Sequence, residues 1–259
     1  MMRGRFIPLS LPRRIVADHC YFARKTPTGV LRRRINIAPL MKARADASKK
    51  APWFALFLKG YALVAQQHAP LRRVYVKLPW PHLYEYPASV ASLVIERDYK
   101  GEDALFLARL KNPAALSLGE IAAKITEAKG APIESVKDFR LALRFARAPM
   151  LLRRALWWLG MNIGRQRANF FGTFGVTVLS GDGTEVNFPI SPWTSLMSYG
   201  PISADGDVEI VIGFDHRVMD GAVISRAMGA LETVLNSAIA TEIAPRGAEA
   251  PASPAPARP

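Results

Sequence analysis

The sequence is poor in cysteine, histidine and acidic residues. A single cysteine, Cys20, excludes an intramolecular disulfide framework and any zinc site built only from thiolates. The four histidines, His19, His68, His82 and His216, are scattered along the chain, so we expect no bound metal. The chain has 21 Asp and Glu against 35 Lys and Arg, a formal net charge of +14. Such a charge predicts an anionic partner: nucleic acid, phospholipid, a phosphate-bearing cofactor or an acidic protein.

Long apolar runs are also missing. The most apolar stretch, residues 53–65, is interrupted by Lys59 and is too short to span a membrane. The N-terminal residues lack the apolar core and cleavage site of a secretory signal. Half of the 259 residues are nevertheless hydrophobic, which is enough to build a sizeable core. We therefore expect a folded cytoplasmic protein.

The positive charge is concentrated in two segments. Residues 1–50 hold 13 Lys and Arg and two Asp, and residues 140–167 hold seven Arg and no acid. The second segment also contains several leucines and the adjacent pair Trp157 and Trp158. Basic and aromatic residues together are typical of a membrane-contacting surface, of a site for an acidic carrier protein, or of a site for the phosphates of coenzyme A. They are also typical of a helix that buries its apolar face and extends its arginines into solvent.

Hydrophobic periodicity predicts an α/β fold. We expect one domain over residues 1–240, followed by a disordered Ala/Pro-rich tail over residues 241–259. The expected helices cover residues 51–69, 116–128 and 221–240, the expected strands cover 89–97, 173–179 and 208–214, and a short strand runs into a helix over 35–49.

A chemically suggestive segment joins the last strand to the last helix. It contains His216 just past the strand, Asp220 four residues later, and Gly221 at the start of the helix. Strand ends on a rigid scaffold are where proteins commonly present reactive groups. Histidine is the natural general base near neutral pH, and a carboxylate at this spacing is able to stabilise the loop that orients it.

The segment DHRVMDGA, followed by an amphipathic helix, resembles the signature of the acyltransferase catalytic domain of 2-oxoacid dehydrogenase complexes. A similar His-x-x-x-Asp-Gly occurs in chloramphenicol acetyltransferase, which shares that fold. Weaker matches in the same order are PRRIVADH, the region INIAPLMKARADASKK, and GTFGVTVLSGDG followed by ISPWTSLMSYGPI. The resemblance implies a chloramphenicol acetyltransferase-like two-layer sandwich, in which helices cover a mixed sheet. It also implies a homotrimer with the active site between subunits.

The resemblance also implies roles for individual residues. His216 would be the general base for direct attack of a hydroxyl, amine or thiol on an acyl thioester. Asp220 would be a structural carboxylate paired with Arg13, or with the neighbouring Arg14. Thr177 occupies the place of the family's serine and would donate a hydrogen bond to the oxyanion. Ser180 and Ser195 are the less favoured substitutes for that serine.

The resemblance also bears on the acyl donor and the partners. No bound cofactor is expected, and the cosubstrate would be an acyl-coenzyme A or the phosphopantetheine of an acyl carrier protein. Residues 140–167 would contact that carrier protein or a membrane. The chain begins almost at the catalytic domain, so we expect a free-standing acyltransferase rather than the core of a 2-oxoacid dehydrogenase complex, which remains the alternative. Nucleic-acid binding is supported by charge alone, so no nucleic-acid partner is expected.

Overall fold

The computed structural model describes residues 3–178 and 190–244. The helices are α1 Leu11–Ala23, α2 Ala38–Asp46, α3 Trp53–Gln67, α4 Leu118–Gly130, α5 Lys137–Ala146, α6 Met150–Asn162, α7 Gly164–Phe171, α8 Gly221–Val234 and α9 Ala240–Ile243. The strands are β1 Thr28–Asn36, β2 Arg73–Val76, β3 His82–Glu85, β4 Val90–Asp98, β5 Asp103–Lys111, β6 Phe174–Thr177, β7 Ser195–Tyr199 and β8 Asp207–Asp215.

Six of these strands form a mixed sheet in the order β1–β8–β7–β6–β4–β5. Strand β6 runs parallel to β4 and β7, whereas every other neighbouring pair is antiparallel. Strands β2 and β3 form a separate antiparallel pair. The expected α/β class with a mixed sheet is therefore confirmed.

The helices pack on the sheet through a continuous apolar core. Helix α3 is buried along most of its length, and α8 packs against both α3 and β1. Helices α1 and α5 pack against β5 at the opposite edge. Strand β8 lies inside the sheet, next to the edge strand β1. Its sequence suits this position because Val208, Ile210 and Ile212 are all buried on one face.

The expected start of the tail is wrong by a few residues. After α8 the chain continues through a π-helical turn, Leu235–Ile239, into α9. Glu242 of α9 pairs with the buried Lys59 of α3 and accepts a hydrogen bond of 3.0 Å from the backbone N–H of Leu118. These contacts order the segment that composition alone assigned to the tail. Residues 245–259 lie outside the described part of the chain.

The basic segment 140–167 divides its side chains between core and surface. Arg153 is buried and its Nε donates to Asp18 Oδ2 at 2.7 Å, while Arg154 Nε lies 3.4 Å from Asp18 Oδ1. Of the two adjacent tryptophans, Trp157 is buried and Trp158 is 43 % exposed. Part of this positive charge is therefore structural, and its role is to neutralise a buried carboxylate.

Candidate active site

The turn after β8 is organised around Asp215, the last residue of the strand. Asp215 is fully buried, and its carboxylate accepts hydrogen bonds from Arg217 Nε at 2.9 Å and Nη2 at 2.7 Å. Its backbone carbonyl accepts from the N–H groups of Val218 and Met219. A bidentate charge-assisted pair of this kind fixes geometry strongly, so the residue between Asp215 and Arg217 has a defined position.

That residue is His216. Its backbone N–H donates to the carbonyl of Pro27 at 2.9 Å, and its ring lies 5.4 Å from the Phe214 ring. Phe214 fits here because its cross-strand partner is Gly29, where a Cβ would lie 2.5 Å from the phenyl ring. The imidazole is half exposed, and its Nδ1 lies 3.3 Å from Asp220 Oδ1. A proton on Nδ1 facing this carboxylate leaves the Nε2 lone pair free to accept a proton.

The expected pairing of Asp220 with Arg13 is wrong within one chain. Asp220 immediately precedes α8, is 81 % exposed and contacts His216, whereas Arg13 Nε lies 3.4 Å from Glu102 Oε1. Arg14, the alternative, donates to the carbonyl of Leu9. The physical reason is the position of α1, whose packing against β5 lies at the sheet edge opposite to the β1–β8 pair.

Thr177 is half-buried and lies at the end of β6. It is in register with Ser198 of β7, which is in turn paired with Val211 of β8. His216 is five residues beyond Val211, so about 16 Å along the strand separates it from Thr177, in addition to the width of two strand spacings. One chain therefore does not bring Thr177 and His216 together. A second copy is required if both are to meet at one substrate.

The substitutes for Thr177 are placed as follows. Ser195 is fully buried, and its Oγ accepts a hydrogen bond of 2.9 Å from Tyr61 Oη. It therefore belongs to the core, because its hydroxyl faces α3 and not a solvent-accessible cleft. Ser180 lies outside the described residues.

A basic pocket that the sequence did not predict lies next to the His216 turn. Its lining consists of four cations, four apolar or aromatic side chains and two neutral polar residues: Lys25, Lys77, Arg167 and Arg217, with Phe22, Tyr75, Trp158 and Met161, and with Thr26 and Asn162. No carboxylate is among these lining residues. Local sequence offered no signal, because the pocket assembles from four separate segments.

Residues 3–178 and 190–244 contain no cluster of three or more His, Cys, Asp or Glu placed to hold a metal ion. Within the same ranges, every helix is too short or too polar to cross a membrane.

Comparison with known proteins gives matches in structure but not in sequence. No family profile and no curated protein sequence matches the chain. A probable dihydrolipoamide acetyltransferase of Listeria monocytogenes superposes with a TM-score of 0.64 at 18 % identity, covering 95 % of this chain and 98 % of that one. The dihydrolipoamide acetyltransferase of Azotobacter vinelandii gives 0.65 at 17 %, covering 92 % and 94 %. A chloramphenicol acetyltransferase gives 0.51 at 12 %, covering 88 % and 98 %. At these identities the matches confirm the chloramphenicol acetyltransferase-like fold.

Proposed function

We propose that the protein is an acyltransferase that moves an acyl group from a thioester to a hydroxyl, amine or thiol, with His216 as the general base. The observation that carries the proposal is the half-exposed imidazole at the end of β8, whose Nδ1 lies 3.3 Å from Asp220 Oδ1. A histidine held in this way, on a fold shared with two kinds of acetyltransferase, is suited to accept a proton from an attacking nucleophile.

The reaction would proceed by direct attack. His216 Nε2 takes the proton from the acceptor X–H as X bonds to the thioester carbonyl carbon, and the carbonyl electrons move onto oxygen. Collapse of this tetrahedral oxyanion breaks the carbon–sulfur bond. The departing thiolate then takes the proton back from Nε2, so the imidazole returns to its starting state and no acyl-enzyme forms.

Thr177 would donate its hydroxyl to the oxyanion. Because about 16 Å along the strand and two strand spacings separate Thr177 from His216 within one chain, we propose that the working site lies between two subunits of a homotrimer. The donor would be an acyl-coenzyme A or an acylated carrier protein, and no bound cofactor takes part.

The test is thiol release from acetyl-coenzyme A in the presence of a panel of acceptors. Removing a general base typically lowers the rate by about 10²–10⁴-fold, so His216→Ala should be essentially inactive. His68→Ala, a histidine at the end of α3 without a side-chain hydrogen bond among the described residues, is the matched control. Equal rates for His216→Ala and the unsubstituted protein would refute the mechanism.

The alternative function within the same chemistry is the core of a 2-oxoacid dehydrogenase complex. It is favoured by the match to dihydrolipoamide acetyltransferases over more than 90 % of both chains. Turnover with free dihydrolipoamide, together with assembly into a particle far larger than a trimer, would establish this alternative. Turnover with another acceptor by a trimer would establish a free-standing enzyme.

We propose further that α6 contacts an anionic lipid surface. Its exposed face is apolar, and large side chains between 40 % and 79 % exposed extend along it and just beyond its end: Met150, Leu151, Leu152, Leu156, Trp158, Leu159 and Ile163. The inward face instead carries Arg153, Trp157 and Gly160. An apolar stripe flanked by arginines, in a segment without acidic residues, is suited to a membrane interface with negative headgroups. Localisation would then be cytoplasmic, at the membrane surface.

Sedimentation with vesicles tests this contact. The protein should sediment with phosphatidylglycerol-containing vesicles and less with pure phosphatidylcholine, and Leu152→Ser with Leu156→Ser should weaken sedimentation at least tenfold. Leu105→Ser, on β5 and 44 % exposed, is the matched control. Failure to bind vesicles, with formation of a complex with acyl carrier protein that the same double variant abolishes, would show that the surface serves the carrier protein instead.

A further inference from the structure

The pocket beside His216 holds an excess of positive charge. Arg217 is neutralised by Asp215, but Lys25 and Lys77 lie at the exposed rim without a carboxylate partner among the described residues. Arg167 is buried, and its guanidinium donates to the backbone carbonyls of Tyr75, Met161 and Pro192. Burial lowers the pKa of Arg167 to about 10, which leaves it charged near neutral pH. The pocket therefore concentrates positive charge in a partly desolvated place.

One polar group in this pocket is without a partner. Thr26 is 7 % exposed, and its Oγ1 is fully buried with no hydrogen-bond partner in the part of the chain that the structure describes. Leaving a buried hydroxyl unsatisfied costs about 1–3 kcal/mol, so such groups commonly meet a ligand or an ordered water. Thr26 is one of the residues that line the pocket, so this unsatisfied hydroxyl belongs to the pocket wall.

The pocket is continuous with the catalytic turn. Thr26 directly precedes Pro27, whose carbonyl holds the N–H of His216, and Arg217 directly follows His216. The Arg217 guanidinium carbon lies 4.5 Å from the Tyr75 ring centre, so Tyr75 joins the β2–β3 hairpin to the turn. A molecule bound here would lie against the turn that carries His216. The opposite wall is made by Trp158 and Met161 of α6.

We propose that this pocket binds the phosphate group of a substrate of acyl transfer, with Thr26, Lys25 and Lys77 as its contacts. A phosphate monoester presents three acceptor oxygens and up to two negative charges, which match a hydroxyl donor and two ammonium groups. The buried charge of Arg167 adds long-range attraction, and the aromatic wall limits access of water. This inference rests on the proposed function, since it assigns one substrate of that reaction a phosphate.

The binding test is independent of turnover. Thermal unfolding of the full chain is followed with inorganic phosphate, against sodium chloride of equal ionic strength. Phosphate should raise the Tm of the unsubstituted protein, and Lys77→Met should weaken the apparent phosphate affinity at least tenfold. Lys129→Met, at the exposed end of α4, should bind phosphate normally. Because Lys77 is exposed, its variant should fold, and Thr26→Val provides a second variant that removes only the hydroxyl.

Competition then identifies the source of the phosphate. If the group belongs to the acyl donor, coenzyme A should compete with inorganic phosphate and pantetheine should not. If it belongs to the acceptor, glycerol 3-phosphate should compete and glycerol should not. A Tm shift equal to that of chloride, or one retained in both Lys77→Met and Thr26→Val, would overturn the proposal. Phosphate binding without any thioester turnover would instead refute the proposed acyl transfer and leave the anion site standing.

Discussion

Arg217 holds Asp215 through two hydrogen bonds of 2.7 and 2.9 Å, and the residue between them is His216. The carboxylate is fully buried and the guanidinium side chain is 24 % exposed. This ion pair therefore connects the two residues that flank His216, Asp215 at the strand end and Arg217 in the turn. The position of His216 therefore depends on this ion pair.

Asp215→Asn tests that dependence. Asparagine keeps the size of the side chain but removes the counter-charge, which leaves Arg217 partly desolvated and unpaired. We expect a loss of about 2–3 kcal/mol in the free energy of unfolding, measured by urea denaturation, and a lower rate of acyl transfer. Asp205→Asn, at an exposed position before β8, should change neither quantity.

Asp220→Asn should separate orientation from stability. Asp220 is 81 % exposed, so its replacement should change the free energy of unfolding by less than about 0.5 kcal/mol. The rate should fall roughly tenfold, because an amide holds the imidazole tautomer less strongly than a carboxylate. Rate and stability are measured on the same preparation. An unchanged rate would mean that the 3.3 Å contact with His216 has no part in the chemistry.

Arg13→Gln distinguishes the observed pairing from the expected one. Because Arg13 pairs with Glu102 at the surface, the variant should retain its rate and lose less than about 1 kcal/mol of stability. Glu102→Gln should have the same small effect. A large loss of turnover in Arg13→Gln alone, with normal folding, would indicate that Arg13 meets Asp220 in the assembled protein.

His19 should make stability depend on pH. Its ring lies edge-on between Trp157 and Trp193, and burial lowers its pKa from 6.5 to about 4. As the pH falls through 6.5, His19 therefore becomes protonated in the unfolded chain but stays neutral in the folded chain. The free energy of unfolding is unaffected by His19 above pH 6.5 and decreases as the pH drops toward 4. At pH 5 the decrease is about 2 kcal/mol.

The control for this dependence is His19→Phe, which keeps an aromatic ring between the two tryptophans and removes the titration. Urea denaturation at pH 7 and pH 5 measures the difference. The phenylalanine variant should lose most of the change between these two values. An equal change in both proteins would assign the acid sensitivity to other groups.

The elements around His216 were predictable because their signals are local. Apolar residues alternate with period two along β8 from Val208, and an apolar stripe with helical spacing begins at Ile224 in α8. The predicted turn between this strand and this helix is confirmed. The helix predicted over residues 116–128 is confirmed as α4, which begins with a capping box formed by Ser117 and Glu120.

What failed depends on contacts between distant parts of the chain. Asp18 and Arg153 are 135 residues apart, and nothing near either residue indicates a buried ion pair. The position of Arg13 follows from the packing of α1 on β5, a strand that is absent from the elements expected from the sequence. The basic pocket was missed for the same reason, since Lys25, Lys77 and Arg167 come from different elements.

The separation of Thr177 from His216 along the sheet has a genetic consequence. A chain without the His216 imidazole still has the Thr177 hydroxyl, and a chain without that hydroxyl still has the imidazole. Each chain can therefore supply one of the two groups that an intersubunit site needs. When His216→Ala and Thr177→Val chains are co-expressed, some subunit interfaces of the mixed oligomers should combine an intact His216 with an intact Thr177. Two defective alleles would then complement each other within a single oligomer, whereas either allele alone would not.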